Sequence, residues 1–287
     1  MLVAFKNYLS LIKFSHTIFA LPFALIGFVL SIKDNLSAFN PLLLMYVILC
    51  MVFARSAAMG FNRYIDRRFD SQNPRTKNRE VPAGIISANA ALIFVIIMCV
   101  LFVATTWFIN PICFYLSPVA LFVVLGYSYT KRFTALCHLV LGVGLGLAPI
   151  GSYLAVTGEF AWLPLLFSFT VFFWVSGFDI IFALQDEEFD RSLNLKSIPS
   201  YLGKVKALRL SEFLHVLSAG FVIAAGYVAG FGIIYWIGVA FFCSLLVYQH
   251  AIVKPNDLSR VNLAFGTVNG IASVVFACFT LSEIILN

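Results

Sequence analysis

The chain has 287 residues, of which 61% are apolar and 11% are charged, and its mean hydropathy is +0.96. Soluble domains carry roughly 45–50% apolar and 25% charged residues, so this composition excludes a soluble globular protein and indicates one that lies in a lipid bilayer. The formal net charge of +6 does not indicate a nucleic-acid partner, because the basic residues follow membrane topology as described below.

Apolar runs long enough to cross the hydrocarbon core, about 20 residues each, predict an all-α integral membrane protein with nine transmembrane helices. Pro41 and Pro111 open two of these runs, and Asn110 and Gly230 lie in the tight turns between others. The nine predicted spans are 15–33, 41–61, 87–109, 112–130, 136–156, 162–184, 207–228, 231–252 and 262–284.

The basic residues predict the orientation of these spans. With the N-terminus inside, the inner loops and the adjoining helix ends contain all of the 19 Lys and Arg residues except Lys33. We therefore predict an N-in, C-out topology. The N-terminal segment has no cleavage-site pattern and no long Arg/Ser-rich presequence, which favours a bacterial protein. The expected location is the inner (cytoplasmic) membrane, with the chain crossing it many times.

The stretch 55–84, RSAAMGFNRYIDRRFDSQNPRTKNREVPAG, is polar in an otherwise apolar chain. Asn62, Asp66 and Asp70 are spaced four apart, so they fall within about 80° of arc on one helical face. Arg55, seven residues before Asn62, lies on the same stripe. The stretch also contains seven of the basic residues: Arg55, Arg63, Arg67, Arg68, Arg75, Lys77 and Arg79.

A second polar inner loop follows the sixth predicted span. Asp179, Asp186 and Asp190 are spaced seven and then four apart, and we expect them on one face of a helix that leaves the membrane. The polar loops 62–86 and 185–206 come after the second and sixth spans. This placement predicts two related four-helix halves plus a ninth helix, which form a single polytopic domain over residues 1–287.

The acids of these loops predict a metal-bound diphosphate. Ionisable groups at the edge of a membrane span are costly and are therefore candidates for function. Mg²⁺ binds one or two carboxylates and completes its shell with water and substrate phosphates, and nearby arginines and lysines bind the same phosphates. With apolar helices beside the site for a lipid tail, the pattern indicates ionisation of an allylic diphosphate with Mg²⁺ on the leaving group.

The other charged residues of the two loops are interpreted as structural. We expect the acids among them to pair with neighbouring arginines on a solvated loop. These residues are Arg67, Arg68, Glu80, Glu187 and Glu188.

The motifs resemble those of UbiA-type intramembrane aromatic prenyltransferases. The first is Asn62-x-x-x-Asp66-x-x-x-Asp70, followed by Asn73-Pro74-Arg75-Thr76-x-x-Arg79 and Pro82-x-Gly84. The second is Asp179-x-x-x-Ala183-x-x-Asp186-x-x-x-Asp190, and Tyr129-x-Lys131-Arg132, with His138 beyond it, resembles the basic loop of that family. The resemblance covers essentially the whole chain.

This resemblance implies transfer of a polyprenyl group from its diphosphate to the ring of an aromatic carboxylic acid, inside a helix bundle that opens sideways to lipid. It implies Mg²⁺ as cofactor, with Asp66, Asp179 and Asp186 as catalytic residues. Asp179 would lie by the ring and help to remove its proton or stabilise the cation, and Arg55 would pair with the carboxylate of the acceptor. The implied metal ligands are Asn62, Asp66, Asp70, Asp186 and Asp190. The implied substrate-binding residues are Arg55, Asn62, Arg63, Arg79, Lys131 and Arg132. His16 is a further candidate for the lining of the site.

The acceptor and the class of function have alternatives. The loop resembles family members that act on 4-hydroxybenzoate in respiratory quinone biosynthesis, or on dihydroxynaphthoate in the futalosine route to menaquinone, and the two stay open. A membrane transporter of organic anions is an alternative from another class, although transporter sites lie near the bilayer midplane. A CDP-alcohol phosphotransferase is a third; where its acidic motif requires glycine, Asp66 is followed by Arg67 and Arg68.

Overall fold

The computed structural model describes residues 2–12, 19–35 and 39–287, and within these ranges it contains helices and turns but no β-strand. The all-helical prediction is therefore confirmed. The helices are α1 (Leu2–Leu11), α2 (Leu21–Asn35), α3 (Pro41–Asp70), α4 (Ala88–Trp107), α5 (Pro111–Thr130), α6 (Cys137–Thr157), α7 (Trp162–Ala183), α8 (Glu187–Ser192), α9 (Ile198–Leu202), α10 (Lys204–Ala229), α11 (Ile233–Ile252) and α12 (Asn269–Leu286). A 3₁₀ turn, Leu184–Asp186, follows α7, and a π-helical segment, Leu263–Val268, precedes α12.

Eight helices of the described residues are long and apolar enough to cross a membrane. The first predicted span, 15–33, is represented by α2, whose 15 residues extend about 22 Å and fall short of a hydrocarbon core of about 30 Å. Residues 13–18, which include His16, lie outside the described ranges. The count of nine spans and the N-in, C-out orientation therefore stay predictions.

The helix ends follow the expected capping chemistry. Asn40 precedes Pro41 and accepts from the backbone N–H groups of the first turn of α3 at 3.0 and 3.2 Å. Asn110 caps α5 in the same way, with 2.8 Å between its Oδ1 and the amide nitrogen of Cys113. Gly230 ends α10 with φ of +64°, a left-handed conformation that glycine adopts without strain.

The helix of the second predicted span continues beyond it. The apolar span is expected over 41–61 with a polar helical face after it, and α3 continues to Asp70, for 30 residues or about 45 Å. That length exceeds the thickness of the hydrocarbon core, so the last turns of α3 extend beyond it. Asn62, Asp66 and Asp70 therefore lie on one continuous helix, and turns from Ser71 to Ser87 lead into α4.

The helix that carries the second acid motif is interrupted. The 3₁₀ turn advances about 120° per residue, where an α-helix advances 100°. Three such residues between α7 and α8 rotate the chain by an additional 60°, approximately. This rotation applies to Asp186 and Asp190 alike. The expectation that Asp190 faces the same space as Asp179 and Asp186 is nevertheless wrong, because its carboxylate is enclosed by Lys131 and Ser197, as the next section shows.

The hydrophobic core lies around α7. Trp174 of this helix is fully buried, with Phe23 of α2, Phe242 of α11 and Phe276 of α12 around it. Gly27 allows α2 to pack closely against α6. A Cβ at this position would lie 2.1 Å from a backbone oxygen of α6, so a larger residue would not fit. Since α2 packs chiefly against α6 and α12, the division of the bundle into two related halves stays a prediction.

Candidate active site

A cavity of about 800 Å³ lies at the end of the bundle where α3, α5 and α7 finish and α6 begins. We call it the polar cavity. The predicted site residues that line it are Arg55, Asn62, Arg63, Asp66, Asp70, Arg79, Lys131, Arg132, Asp179 and Asp186. Of the predicted site residues that the structure describes, it thus brings together all except Asp190.

The first acid motif lies along the last turns of α3. The Asn62 amide donates to Asp66 Oδ2 at 2.9 Å, one turn further along the helix. Arg63 donates to Asn62 Oδ1 at 3.2 Å, and Arg132, from the turn after α5, donates to Asp66 Oδ1 at 3.2 Å. The Asp66 carboxylate is therefore held between an amide and a guanidinium group.

Asp70 ends the same stripe and binds the turn that follows it. Arg79 Nη1 donates to both Asp70 carboxylate oxygens, at 2.8 and 2.9 Å. The Thr76 hydroxyl donates to the backbone oxygen of Asp70 at 3.1 Å. These bonds fold the segment after α3 back over the end of its own helix.

Asp186 receives two side chains from that same turn. Asn73 Nδ2 and Arg75 Nε each donate to Asp186 Oδ1 at 3.0 Å, and Arg75 Nη2 donates to Oδ2. The guanidinium group of Arg75 also lies 5.1 Å from the centre of the Phe182 ring. Neither Asn73 nor Arg75 was given a role from the sequence, although both belong to the quoted first motif.

Asp190 lies behind the cavity wall. Its side chain is 0% exposed, and it pairs with Lys131 Nζ at 2.7 Å and with the Ser197 hydroxyl at 2.8 Å. Burial by itself lowers the pKa of Lys131, but the Asp190 carboxylate outweighs burial and the pKa is raised overall. Lys131 is thus kept cationic at the cavity, and Asp190 is the residue that holds it there.

Asp179, about one turn before the end of α7, has a histidine partner. Its Oδ2 lies 2.7 Å from His138 Nδ1, on the first turn of α6. The Asp179 side chain is 22% exposed, toward the polar cavity, whereas that of His138 is only 4% exposed. The sequence requires an aspartate at this depth to be paired, neutral or next to a polar cavity, and the structure pairs it beside one.

Two guanidinium groups of the polar cavity have no carboxylate partner among the described residues. They belong to Arg55 and Arg63, and the Nε atom of each is buried without a hydrogen bond. Arg63 has a neighbour in Asn62, but no described side chain donates to or accepts from Arg55. An unpaired buried guanidinium is costly, so these two groups are available to an anionic ligand.

An apolar cavity of about 400 Å³ joins the polar one between α3, α5 and α6. Residues of both cavities mark the junction: Arg55, Met59, Tyr127, Leu141 and Leu145. Beyond them the walls are aliphatic and include Val124, Ala148 and Gly151. A molecule with an anionic head and a long apolar tail fits this pair of cavities.

Most of the charged residues that were interpreted as structural make contacts with neighbouring side chains or face solvent. Glu187 pairs with Arg191 at 2.8 Å, and Arg67 lies over the Tyr64 ring at 4.6 Å. Glu80 differs, because it is 8% exposed, lines the polar cavity and accepts a hydrogen bond from Ser10 of α1. The predicted solvated setting is wrong for Glu80 and also for Glu187, which is 7% exposed, although Glu187 does pair with an arginine as expected. No pattern in the sequence indicates the contact of Glu80 with α1.

The oxygen ligands that line the polar cavity fit Mg²⁺ when the phosphates of a bound diphosphate supply the remaining ligands. In the described residues, no three His, Cys, Asp or Glu side chains converge closely enough to hold a metal ion by themselves. The oxygen donors, Asn62, Asp66, Asp70 and Asp186, are of the hard type that Mg²⁺ prefers, and this ion takes few protein ligands when phosphates supply the rest. The residues therefore fit an ion that arrives with a diphosphate.

The sequence matches known proteins over almost its full length. Residues 20–279 match the model of the UbiA prenyltransferase family. A relative in Nitrosomonas europaea, 4-hydroxybenzoate octaprenyltransferase, is 28% identical over 247 residues, which are 85% of this chain and 84% of the relative. A protein of the same name in Aromatoleum aromaticum is 29% identical over 252 residues, which are 86% of this chain and 84% of that relative.

Solved structures share the fold. The apo structure of a UbiA homolog from Aeropyrum pernix K1 superposes with a TM-score of 0.83 and 32% identity, over 92% of this chain and 96% of that one. A UbiA homolog from Archaeoglobus fulgidus bound to GPP and Mg²⁺ superposes with a TM-score of 0.73 and 23% identity, over 97% of this chain and 99% of that one.

Proposed function

This chain belongs to the UbiA prenyltransferase family and is a prenyl-transferring enzyme, and from that premise we propose that it moves a polyprenyl group from polyprenyl diphosphate to the ring of an aromatic acid of the 4-hydroxybenzoate type. The family assignment replaces the transporter and phosphotransferase alternatives. We place the enzyme in the inner membrane, in respiratory quinone biosynthesis.

The observation that carries this proposal is the pairing of acids and bases around one cavity with an apolar extension. Asp66 is paired with Arg132, Asp70 with Arg79 and Asp186 with Arg75. A metal-bound diphosphate offers a new partner to both members of each ion pair. The carboxylate can bind the cation, and the guanidinium group can bind phosphate oxygens. Each of these three ion pairs satisfies its own charges in the absence of a ligand.

The residues that would hold Mg²⁺ are Asn62 and Asp66 on α3 and Asp186 after α7, with Asp70 in support. When bound, Mg²⁺ neutralises the charge that develops on the leaving diphosphate. We assign Asp190 to the positioning of Lys131, because its carboxylate is enclosed by Lys131 and Ser197 and does not line the cavity.

The bases of the polar cavity would bind the diphosphate. Arg63 is unpaired with any described carboxylate, and Arg75, Arg79 and Arg132 become available when their carboxylates turn to the metal. Lys131 stays cationic beside Asp190 and faces the same space. The prenyl chain would then extend past Tyr127 into the apolar cavity.

The acceptor would lie between Arg55 and Asp179. Arg55 pairs with its carboxylate, because the guanidinium group has no other described anion near it. The phenolic oxygen of 4-hydroxybenzoate donates electron density to the neighbouring ring carbon, and this carbon attacks the prenyl C1 atom. Asp179, with its carboxylate toward the cavity, takes the proton that this ring carbon then loses. A dihydroxynaphthoate carries the same two groups and is the alternative acceptor.

The test is incubation of membranes that contain the protein with a labelled polyprenyl diphosphate and one acceptor at a time. The acceptors are 4-hydroxybenzoate, a dihydroxynaphthoate, benzoate and phenol. We expect a ring-prenylated product from the first or the second and none from benzoate, which lacks the electron-donating hydroxyl. Failure of every acceptor would overturn the proposal, and phenol as good as 4-hydroxybenzoate would overturn the role of Arg55.

A further inference from the structure

His138 is the side chain that holds Asp179, the carboxylate assigned above to the ring proton. It lies on the first turn of α6, is 3% exposed, and its Nδ1 atom is 2.7 Å from Asp179 Oδ2. The two residues come from helices that pack closely together, so the contact is set by the core of the bundle. Neither residue has a charged partner in the described residues apart from the other.

The second ring nitrogen of His138 determines its tautomer. The backbone N–H of Ile198 donates to His138 Nε2 at 3.3 Å. A backbone amide can only donate, so Nε2 carries a lone pair and the proton of the neutral ring is on Nδ1. His138 therefore donates through Nδ1 to Asp179 Oδ2, and Asp179 is the acceptor in this bond.

The Ile198 amide is itself held in place. Ile198 is the first residue of α9, where backbone N–H groups lack a partner within the helix. Ser197 caps this helix, and its hydroxyl donates to Asp190 at 2.8 Å. The backbone of Lys196 donates to the backbone oxygen of Lys131 at 2.7 Å. The same loop thus fixes Lys131 and the tautomer of His138.

The hydrogen bond from His138 leaves one carboxylate oxygen of Asp179 free. Oδ2 accepts from His138, whereas Oδ1 has no hydrogen-bond partner in the described part of the chain. The exposed part of this side chain faces the polar cavity. A proton that arrives from the cavity would therefore go to Oδ1, and His138 would continue to donate to Oδ2.

We propose that His138 is a positioning residue for the deprotonation of the acceptor ring, an inference that rests on the proposed function. In the transfer, the prenyl C1–O bond breaks and its electron pair leaves with the diphosphate, while the ring carbon forms a bond to C1. The proton of that carbon moves to Asp179 Oδ1, and the C–H electron pair restores the aromatic ring. His138, fixed by the Ile198 amide, holds Oδ2 of this carboxylate and so keeps Oδ1 directed at the ring.

A second role for His138, as a buried group that only stabilises the fold, makes a different prediction. A structural role lowers the amount of folded protein and slows every step alike. A role in deprotonation slows the loss of the ring proton in particular, and that slowing appears as an isotope effect when the ring hydrogens are deuterium. The isotope effect therefore separates the two roles.

The experiment compares His138→Asn with His138→Leu, two side chains of nearly equal shape. The Asn amide nitrogen lies at the same bond distance from the backbone as Nδ1 and can donate to Asp179, whereas Leu cannot. With ring-deuterated 4-hydroxybenzoate, we expect His138→Leu to lower kcat by about 100-fold and to reveal a primary isotope effect. His138→Asn should retain most of the wild-type kcat and its small isotope effect, and both variants should keep the wild-type KM for the prenyl diphosphate.

The matched controls are His250→Asn and His250→Leu, at a histidine that does not line the cavity; neither should change the isotope effect. Equal losses in folded His138→Asn and His138→Leu, with no isotope effect in either, would overturn the role of His138 and leave the proposed function intact. Loss of turnover in a folded His138→Asn protein would overturn it as well, even where His138→Leu fails to fold. No product from the wild-type enzyme with any acceptor would overturn both proposals.

Discussion

Arg75 and Asp186, 111 positions apart in the chain, form an ion pair that joins the segment after α3 to the segment after α7. The Nε atom of Arg75 lies 3.0 Å from Asp186 Oδ1, and the guanidinium group packs over the Phe182 ring. The turn that follows the first acid motif thereby contacts the second acid motif, and both motifs face one cavity. The same base is placed to move from the carboxylate to a phosphate.

Replacement of Arg75 should weaken the binding of the prenyl diphosphate. We expect Arg75→Ala to raise its KM by about 10- to 100-fold, since a hydrogen bond to a charged group contributes roughly 1.5–3 kcal/mol. Steady-state kinetics with a labelled donor measure this effect. Arg68→Ala, on the exposed side of α3, is the control and should leave KM unchanged. A wild-type KM in Arg75→Ala would remove Arg75 from the diphosphate site.

Loss of Lys131 should destabilise the fold through Asp190. Lys131→Met leaves a fully buried carboxylate without its cation. We expect the free energy of unfolding to fall by roughly 2–3 kcal/mol, less than the roughly 3–5 kcal/mol of a fully buried pair because Lys131 is 35% exposed. Thermal unfolding in detergent measures the change. The double variant Lys131→Met/Asp190→Asn should recover most of the loss, and Lys196→Met, an exposed lysine of the same loop, should lose little. Equal losses in the double and single variants would contradict this account of the pair.

The pH dependence of that pair has a defined sign. The pKa of Lys131 is raised above its ordinary value of 10.5, so its contribution to stability is complete below that value and is lost only as the pH rises through the higher value of the folded state. Burial raises the pKa of Asp190 and Lys131 opposes that rise, so in Lys131→Met this carboxyl takes up a proton more readily at low pH. The difference in melting temperature between wild type and Lys131→Met should therefore not decrease from pH 6 to about pH 9. A difference that disappears within this range would show that Lys131 is neutral in the folded protein.

A larger side chain in the apolar cavity should reduce the length of the prenyl chain that the enzyme accepts. A Cβ on Gly151 would meet no atom within 4 Å, and the residue lines the cavity, so Gly151→Phe should fold and occupy the space of the tail. We expect kcat/KM to fall more for long polyprenyl diphosphates than for geranyl diphosphate. Gly220→Phe, equally free of neighbours and away from the cavity, is the matched control. The same loss for every donor length would place the tail elsewhere.

Removal of the Arg55 guanidinium should weaken the binding of the acceptor and leave the binding of the prenyl diphosphate unchanged. For Arg55→Leu we expect the KM for 4-hydroxybenzoate to rise about 10- to 100-fold, again the contribution of one charged hydrogen bond, with little change for the prenyl diphosphate. A hydroxylated aromatic without a carboxylate should show no such rise. If the KM of the diphosphate rises instead, Arg55 belongs to the diphosphate site.

The parts of the fold that depend on local chemistry could be predicted from the sequence. The stripe of Asn62, Asp66 and Asp70 follows from the helical period, and Asn40 and Asn110 mark helix starts through contacts within four residues. The helix-exit position of the two acid motifs also follows from the apolar runs. These features need no knowledge of how the helices pack.

The parts of the fold and of the site that depend on how the helices pack could not be predicted from the sequence. The Arg75 contact with Asp186 and the His138 contact with Asp179 join residues from different helices or turns, and no spacing in the chain encodes them. The enclosure of Asp190 depends on Lys131 from the turn after α5, 59 positions earlier in the chain, and on Ser197 at the start of α9. Glu80 was assigned to a solvated loop because its cover, α1, was not predicted as a helix.

The most direct test of the central claim, a metal-held prenyl diphosphate between the two acid motifs, is prenyl transfer by Asp66→Asn and by Asp186→Asn in membranes with and without Mg²⁺. We predict that each variant inserts normally and that its transfer rate falls by about 1,000-fold or more, that excess chelator stops the wild-type enzyme, and that Asp257→Asn, an exposed carboxylate, has no effect. Normal turnover by either variant, or full wild-type activity in excess chelator, would contradict it.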